Sequence, residues 1–170
     1  MRRKRKEQFV NLRRAVPADV PRMVELSTMK RLQYAAYSPI FWRPAVGADE
    51  SQKKFFVPLV DDPSWICLVH EAAGEVNGFV MARIISAPPV YDPGGKVCMI
   101  DDFVVAEPSL WESVGMALHM EAEKIAGQSG AVISITVCGE HDAVKRTALR
   151  GAGAQIASEW YVHQINKQNG

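Results

Sequence analysis

Two adjacent carboxylates lie in the most chemically suggestive stretch of this sequence. In Met99-Ile-Asp-Asp-Phe-Val-Val-Ala-Glu-Pro-Ser-Leu-Trp-Glu-Ser-Val-Gly-Met-Ala-Leu118, Asp101 and Asp102 sit in an apolar run. A short connection then leads to a segment with Ser113 and Gly115 near its start. A carboxylate placed beside a cleft has the chemistry of a general base, worth a rate gain of roughly 10²–10⁴. The first N–H groups of a following helix lack partners inside it and carry partial positive charge, so they suit a phosphate. Small residues at 113 and 115 would let a diphosphate approach the backbone. Two plainer readings stand beside these: the acids cap or pair at a strand end, and Gly115 is a packing glycine. Strand alternation sends Asp101 and Asp102 to opposite faces, one toward a cleft and one toward structure.

Other side chains with reactive chemistry form no pattern. His70, His119, His141 and His163 show no ligand spacing and no Cys-x-x-Cys occurs, so no metal site is expected. His141 beside Asp142 reads as part of a helix cap. No Gly-x-Ser-x-Gly or phosphate-binding Walker loop is present. Cys67, Cys98 and Cys138 are odd in number, far apart and set in apolar runs. They read as reduced core residues of a cytoplasmic protein.

The net charge of +1 gives no general case for nucleic acid or membrane as partner. No run approaches the roughly 20 apolar residues that span a bilayer. The basic start, Met1-Arg-Arg-Lys-Arg-Lys6, is not followed by the apolar region of a signal peptide. It reads as a solvated terminus, residues 1–8, ahead of one domain over 9–170. A nucleic-acid factor using that run is the weakest functional reading.

The elements that must position the acids follow from periodicity and punctuation. A strand is expected over Phe9–Ala15. Pro17 opens a helix that continues through Met23 and Leu26. Tyr37–Ala48 reads as an irregular connection and Asp49–Val60 as a helix stopped by Asp61-Asp62-Pro63. Strands follow over Trp65–Glu71, Val76–Ser86 and Lys96–Val105, joined by a turn at 72–75 and a loop over 87–95. Val114, Leu118, Ala122 and Ile125 recur at helical spacing within a helix over Leu110–Gln128. A strand over Ala131–Cys138, a helix over Asp142–Arg150 and a last strand over Ile156–Ile165 complete the chain. The order gives an α/β domain with a mixed sheet of about six to seven strands and about four helices.

Asp101–Ala117 resembles, without gaps, the core motif of the GNAT acetyltransferase superfamily. There an acid-bearing strand ending in Val-Val precedes Arg/Gln-x-x-Gly-x-Gly/Ala and a helix. Leu110 to Gly115 occupy the six motif positions. Only the last glycine matches; Leu110 replaces a basic or amide residue and Ser113 a glycine. Asn11–Val20 resembles the family's first strand and helix start. Gly130-Ala131 with Ile133–Val137 resembles its fifth strand, and Asp142–Gly153 the segment after it. Together these span most of the chain.

The resemblance implies a GNAT fold and acetyl-CoA as co-substrate. The backbone of Phe103, Val104 and Val105 would hold the pantetheine arm and the thioester carbonyl. The backbone N–H groups of Glu112, Ser113, Val114, Gly115 and Met116 would hold the pyrophosphate. Asp142, at the start of the segment that follows, is placed by the resemblance among the cofactor-binding residues. Lys145 and Arg146 would meet the 3′-phosphate or stay as solvated helix charges. A carboxylate would take the acceptor's proton; Asp101 matches the position where relatives often carry glutamate. The family's thiolate-protonating tyrosine falls at Leu149, which cannot donate, leaving Tyr161 as the candidate acid. Trp111 either covers the cofactor or fills the cleft.

The implied activity is N-acetyl transfer to a primary amine of a small molecule or protein. A catalytically impaired acyl-CoA-binding or regulatory protein is the alternative, motivated by Leu110, Trp111 and Leu149. A homodimer through the last strand is compatible with the pattern.

Overall fold

The computed structural model describes residues 11–165. The basic run at 1–8 and the start of the predicted first strand lie outside the described residues. Strand β1 is Leu12–Arg14. A 3₁₀ turn at Pro17–Asp19 leads into helix α1, Val20–Tyr37. Helix α2, Pro39–Trp42, is a single turn inside the predicted irregular connection, and α3 spans Ala48–Asp61. Strands β2, Trp65–Ala72, and β3, Glu75–Ile85, form a hairpin. Its tight turn puts Ala73 and Gly74 at φ of 53° and 80°, the left-handed pair that matches strand twist. Strand β4 is Lys96–Val105, as the sequence predicts. Helix α4, Met116–Gln128, strand β5, Ala131–Thr136, and helix α5, Ala143–Gly151, follow.

The five strands lie in the order β1-β2-β3-β4-β5. The first three pairings are antiparallel, and β4 with β5 is parallel, joined by the crossover through α4. Apolar residues fill both faces. Leu68, Val80, Ala82, Cys98, Ile100, Phe103 and Val105 pack against Leu118, Ala122 and Ala148 of α4 and α5. Cys67, Val69, Phe79, Met81 and Val104 meet Met23 and Leu26 of α1 and Phe56 and Val60 of α3.

The two acids depart from simple alternation. Asp102 pairs with Met81 and Ile100 with Ala82, so Asp101 is an extra residue opposite no partner. This β-bulge shifts the phase of β4 by one. Cys98 and Ile100 face α4 before it; Phe103 and Val105 face α4 after it. Asp101 and Asp102 therefore share the α1 side rather than pointing to opposite faces.

Two further expectations are corrected. The helix predicted from Leu110 begins as a 3₁₀ turn, Pro108–Leu110, and a wide π turn, Trp111–Gly115, before becoming regular. The segment Ile156–Ile165 forms no strand, which leaves five strands among the described residues where six to seven were expected. Its pattern suits a strand, but a strand exists only where its backbone groups find a ladder partner, and here they do not.

Candidate active site

The parallel ladder between β4 and β5 ends at Ile100 opposite Thr136, with one more bond, Val137 N–H to Ile100 O at 3.0 Å. Beyond it β4 continues through Val105 without β5. The strands part, and the bulge carrying Asp101 and Asp102 stands where they do.

Lys145 occupies the gap. It is 1% exposed, and its Nζ donates to the carbonyls of Val137 at 2.9 Å and Phe103 at 3.2 Å. The ammonium lies 5.0 Å from the Phe103 ring centroid and 5.1 Å from that of Trp111. Those two rings meet edge to face at 4.8 Å. Burial, helped by the positive charge of Lys30, pushes the lysine pKa down to about 8. The sequence offers a solvated helix charge or a phosphate contact at this position; the structure places a buried cation there instead. Its location follows from the cap. Asp142 is the N-cap of α5, accepting from Lys145 N–H at 3.3 Å, which turns residue 145 inward.

Asp142 is itself held from α1. The Tyr34 hydroxyl donates to Asp142 Oδ2 at 3.0 Å and accepts from Gly139 N–H at 3.1 Å. Burial raises the Tyr34 pKa, so the phenol stays a neutral donor. The nearby Tyr37 hydroxyl is buried without a hydrogen-bond partner among the described residues. Neither tyrosine carries a motif signal, because both lie on a long helix whose spacing speaks only of packing.

Asp102 stands on the α1 side of the gap. Gln52 Nε2 donates to its Oδ1 at 3.4 Å, and Lys30 Nζ lies 4.0 Å from the same oxygen. Burial raises its pKa above the ordinary carboxylate value, Lys30 opposes the rise and Asp101 adds to it. Asp101 is exposed. The geometry thus gives Asp102, rather than Asp101, the inward position.

The helix start is closely packed. A Cβ on Gly115 would lie 2.6 Å from Trp111 Cε3, so the indole rests on the glycine. Met116 N–H already bonds to the carbonyls of Trp111 and Ser113. Ser113 Oγ leans on Leu110 O at 3.4 Å, Val114 is buried, and Glu112 is exposed. Arg146 turns back to the Glu140 carbonyl. Tyr161 is 89% exposed and its hydroxyl donates to Glu159 at 2.8 Å, outside the cluster. Phe103, Val104 and Val105 are buried, Phe103 and Val105 facing α4 and Val104 facing α1. No group of three or more His, Cys, Asp or Glu able to hold a metal occurs among the described residues. No helix among them is long and apolar enough to cross a membrane.

No family model matches the chain, and no curated protein matches it in sequence. Solved structures do match. A mutant of the BH1408 protein from Bacillus halodurans aligns with a TM-score of 0.79 at 12% identity, covering 91% of this chain and 99% of that one. A predicted acetyltransferase from Clostridium acetobutylicum, solved with acetyl-CoA, gives 0.71 at 14% identity over 94% and 99%. An aminoglycoside N-acetyltransferase in complex with CoA gives 0.63 at 11% identity over 92% and 94%. The chain has the GNAT fold. The order of its elements, with the parallel β4–β5 pair that separates where the acids stand, is a GNAT architecture.

Within this GNAT fold, the carbonyls of Phe103 and Val137 are acceptors aimed into the gap, and Lys145 Nζ supplies their donors. The amide N–H groups of a pantetheine arm have the same hydrogen-bonding character. The acceptors therefore fit such an arm once the ammonium gives way.

Proposed function

We propose that this protein is an acyl-CoA-dependent N-acyltransferase, moving an acetyl group from acetyl-CoA to a primary amine of a small molecule or a protein. The observation that carries the reading is the half-buried Asp102 carboxylate beside the parting of β4 and β5, within a GNAT fold. Phe103, Val104 and Val105 would line the arm and the thioester, and the turn over Glu112–Gly115 would face the pyrophosphate. A carboxylate whose burial raises its proton affinity is a stronger base than an exposed one. Asp102 would take the proton of the acceptor ammonium. The neutral amine then attacks the thioester carbon; the C–S bond breaks as the amide forms, CoA leaves as the thiolate, and the nitrogen's remaining extra proton passes to solvent. A backbone N–H from the parted end of β4 would stabilise the oxyanion, an effect worth roughly a hundred- to thousand-fold. Leu149 stands in place of a proton donor, so the thiolate leaves without help from that position.

A second reading has its own observation. Lys145 and Trp111 together fill the gap, and Met116 N–H is committed inside the helix. These features favour an acyl-CoA-binding or regulatory protein without turnover.

Calorimetric titration with acetyl-CoA followed by a CoA-release assay across a panel of amines decides between them. Binding with release that falls in Asp102→Asn supports transfer. Binding without release for any amine supports the second reading. Absence of acetyl-CoA binding overturns transfer and leaves the non-catalytic, regulatory form of the second reading.

A further inference from the structure

A second cluster of reactive side chains lies on the α4 side of the sheet, beside the same gap. His119 and Glu123 are four residues apart on α4 and so share one face of the helix. His119 is 4% exposed, and its Nε2 lies 2.9 Å from Thr136 Oγ1 at the end of β5. Its Nδ1 lies 3.4 Å from Glu123 Oε2. Glu123 is held in turn by Ser134, whose hydroxyl donates to Oε1 at 2.5 Å. A carboxylate beside Nδ1 keeps the ring hydrogen on that nitrogen, which leaves Nε2 to accept from the Thr136 hydroxyl. Hydroxyl, imidazole and carboxylate thus follow one another in the order that activates an alcohol for attack.

The place of the hydroxyl points to its substrate. Thr136 stands opposite Ile100 on the last rung of the parallel ladder, where β4 and β5 begin to part. It is half-buried, whereas the imidazole behind it is closed off from solvent. The carbonyl of the next residue, Val137, accepts from Lys145 Nζ at 2.9 Å, which brings a positive charge near. The Phe103 ring lies between the two nitrogen groups, its centroid 5.9 Å from that of His119 and 5.0 Å from the ammonium. Burial lowers the His119 pKa below its ordinary value, Glu123 opposes the fall and Lys145 adds to it. The ring is therefore neutral near pH 7 and free to take a proton. Packing alone would be served better by an apolar side chain at 119, which brings no polar atoms to satisfy.

We propose that Thr136, in a relay with His119 and Glu123, is a nucleophile that accepts acyl groups from small thioesters or aryl esters entering the gap. Its hydroxyl proton passes to His119 Nε2 as Oγ1 attacks the carbonyl carbon. The bond to the leaving group breaks, the thiolate or phenolate departs, and an acyl ester remains on Thr136. The imidazolium proton passes to the departing anion or to solvent. For turnover, His119 takes a proton from water, the water oxygen attacks the ester, and the proton returns to Oγ1 as the acid leaves. The Lys145 ammonium is the charge in the gap available to offset the oxyanion. Glu123 is a positioning residue, acting through the imidazole. This activity goes beyond the amine transfer proposed above and requires no CoA.

The test uses p-nitrophenyl acetate, so a failure of acetyl-CoA binding bears on the function proposed above and leaves this result unaffected. Acid-quenched full-length protein should gain the mass of one acetyl group, and peptide fragmentation should place it on Thr136. Thr136→Val, close in shape, should lose that label with an unchanged circular dichroism spectrum, and Thr136→Ser should keep it. His119→Gln should slow acylation by roughly 10²–10⁴. The charges that face the imidazole are Glu123 on its own helix and Lys145 from α5. Glu123→Gln removes the one that holds the imidazole pKa up, so the rising limb of the acylation rate should move to lower pH. Acetyl found only on other residues, a label that survives Thr136→Val or is lost in Thr136→Ser, or full rate in His119→Gln overturns the inference. So does a limb that stays in place in Glu123→Gln.

Discussion

Lys145 reaches from α5 to the backbone of Phe103, its Nζ 3.2 Å from the carbonyl oxygen, and so ties β4 to the far side of a gap that β5 no longer spans. Burying an ammonium this completely is unfavourable unless donors find acceptors. Two carbonyls and two aromatic faces supply the compensation.

That arrangement has a pH signature. The folded-state pKa of Lys145 is about 8 against an ordinary 10.5. Between those values the unfolded chain binds more protons, so the lysine's contribution to stability rises with pH through this window. Below about pH 8 its cost is fully present. Cys67 and Cys98, pushed by burial from 9.0 to about 11, act in the opposite direction. They do so equally in a Lys145→Met variant. Urea unfolding of both proteins from pH 7 to 10 should show the stability difference, parent minus variant, growing above pH 8. A difference independent of pH would remove the buried, titrating lysine from the account.

The same residue makes a binding prediction. If the arm of acetyl-CoA pairs with the carbonyls of Phe103 and Val137, it must displace Nζ. Lys145→Met frees both acceptors and should tighten acetyl-CoA binding by roughly tenfold, about the net worth of one hydrogen bond. Calorimetry on the two proteins at pH 7 measures this. Weaker binding in the variant would mean that Lys145 helps to hold the donor.

Gly115 and Trp111 should behave as one unit. A methyl on Gly115 meets the indole at 2.6 Å, well inside contact distance. Gly115→Ala should therefore cost about 1–3 kcal/mol of stability, the usual range for an overpacked site. In a Trp111→Ala background the obstruction is gone, and the same change should cost little. A double-mutant cycle by urea denaturation reads the coupling directly. Equal costs in both backgrounds would show that Gly115 answers to something other than the indole.

Much of the fold was legible because its signals are local. Pro17, the hairpin turn at Ala73-Gly74 and the helical spacing of Val114, Leu118 and Ala122 place their elements within a few residues. The resemblance around Asp101–Gly115 anticipated the GNAT fold now seen in the structural matches. The site was less legible. The bulge at Asp101 depends on β3, which pairs Met81 with Asp102 and skips a residue, and alternation within β4 contains no trace of it. The inward turn of Lys145 depends on the Asp142 cap held by Tyr34, 108 positions away in the chain. The aspartate at a helix start was readable; its consequence three residues on was the available signal. The fate of Ile156–Ile165 was not readable, because alternation says that a segment can pair and never with what.

The two acids provide the last test. Asp102 is half-buried, bonded by Gln52 and 4.0 Å from Lys30, whereas Asp101 is exposed on the bulge. As a base, Asp102 must be ionised, and burial holds its pKa above the ordinary 3.8. Turnover limited by this group should therefore rise as pH passes through that raised value and then level off. Asp102→Asn should lower CoA release by roughly 10²–10⁴ while leaving acetyl-CoA affinity within a few-fold. Asp101→Asn should change neither quantity by more than a few-fold. Lys30 adds a check on the electrostatics. Its charge opposes the rise in the Asp102 pKa, so Lys30→Met should move the rising limb of the pH profile to higher pH. A profile that stays in place in Lys30→Met, or a larger loss in Asp101→Asn than in Asp102→Asn, would transfer the role of base away from Asp102.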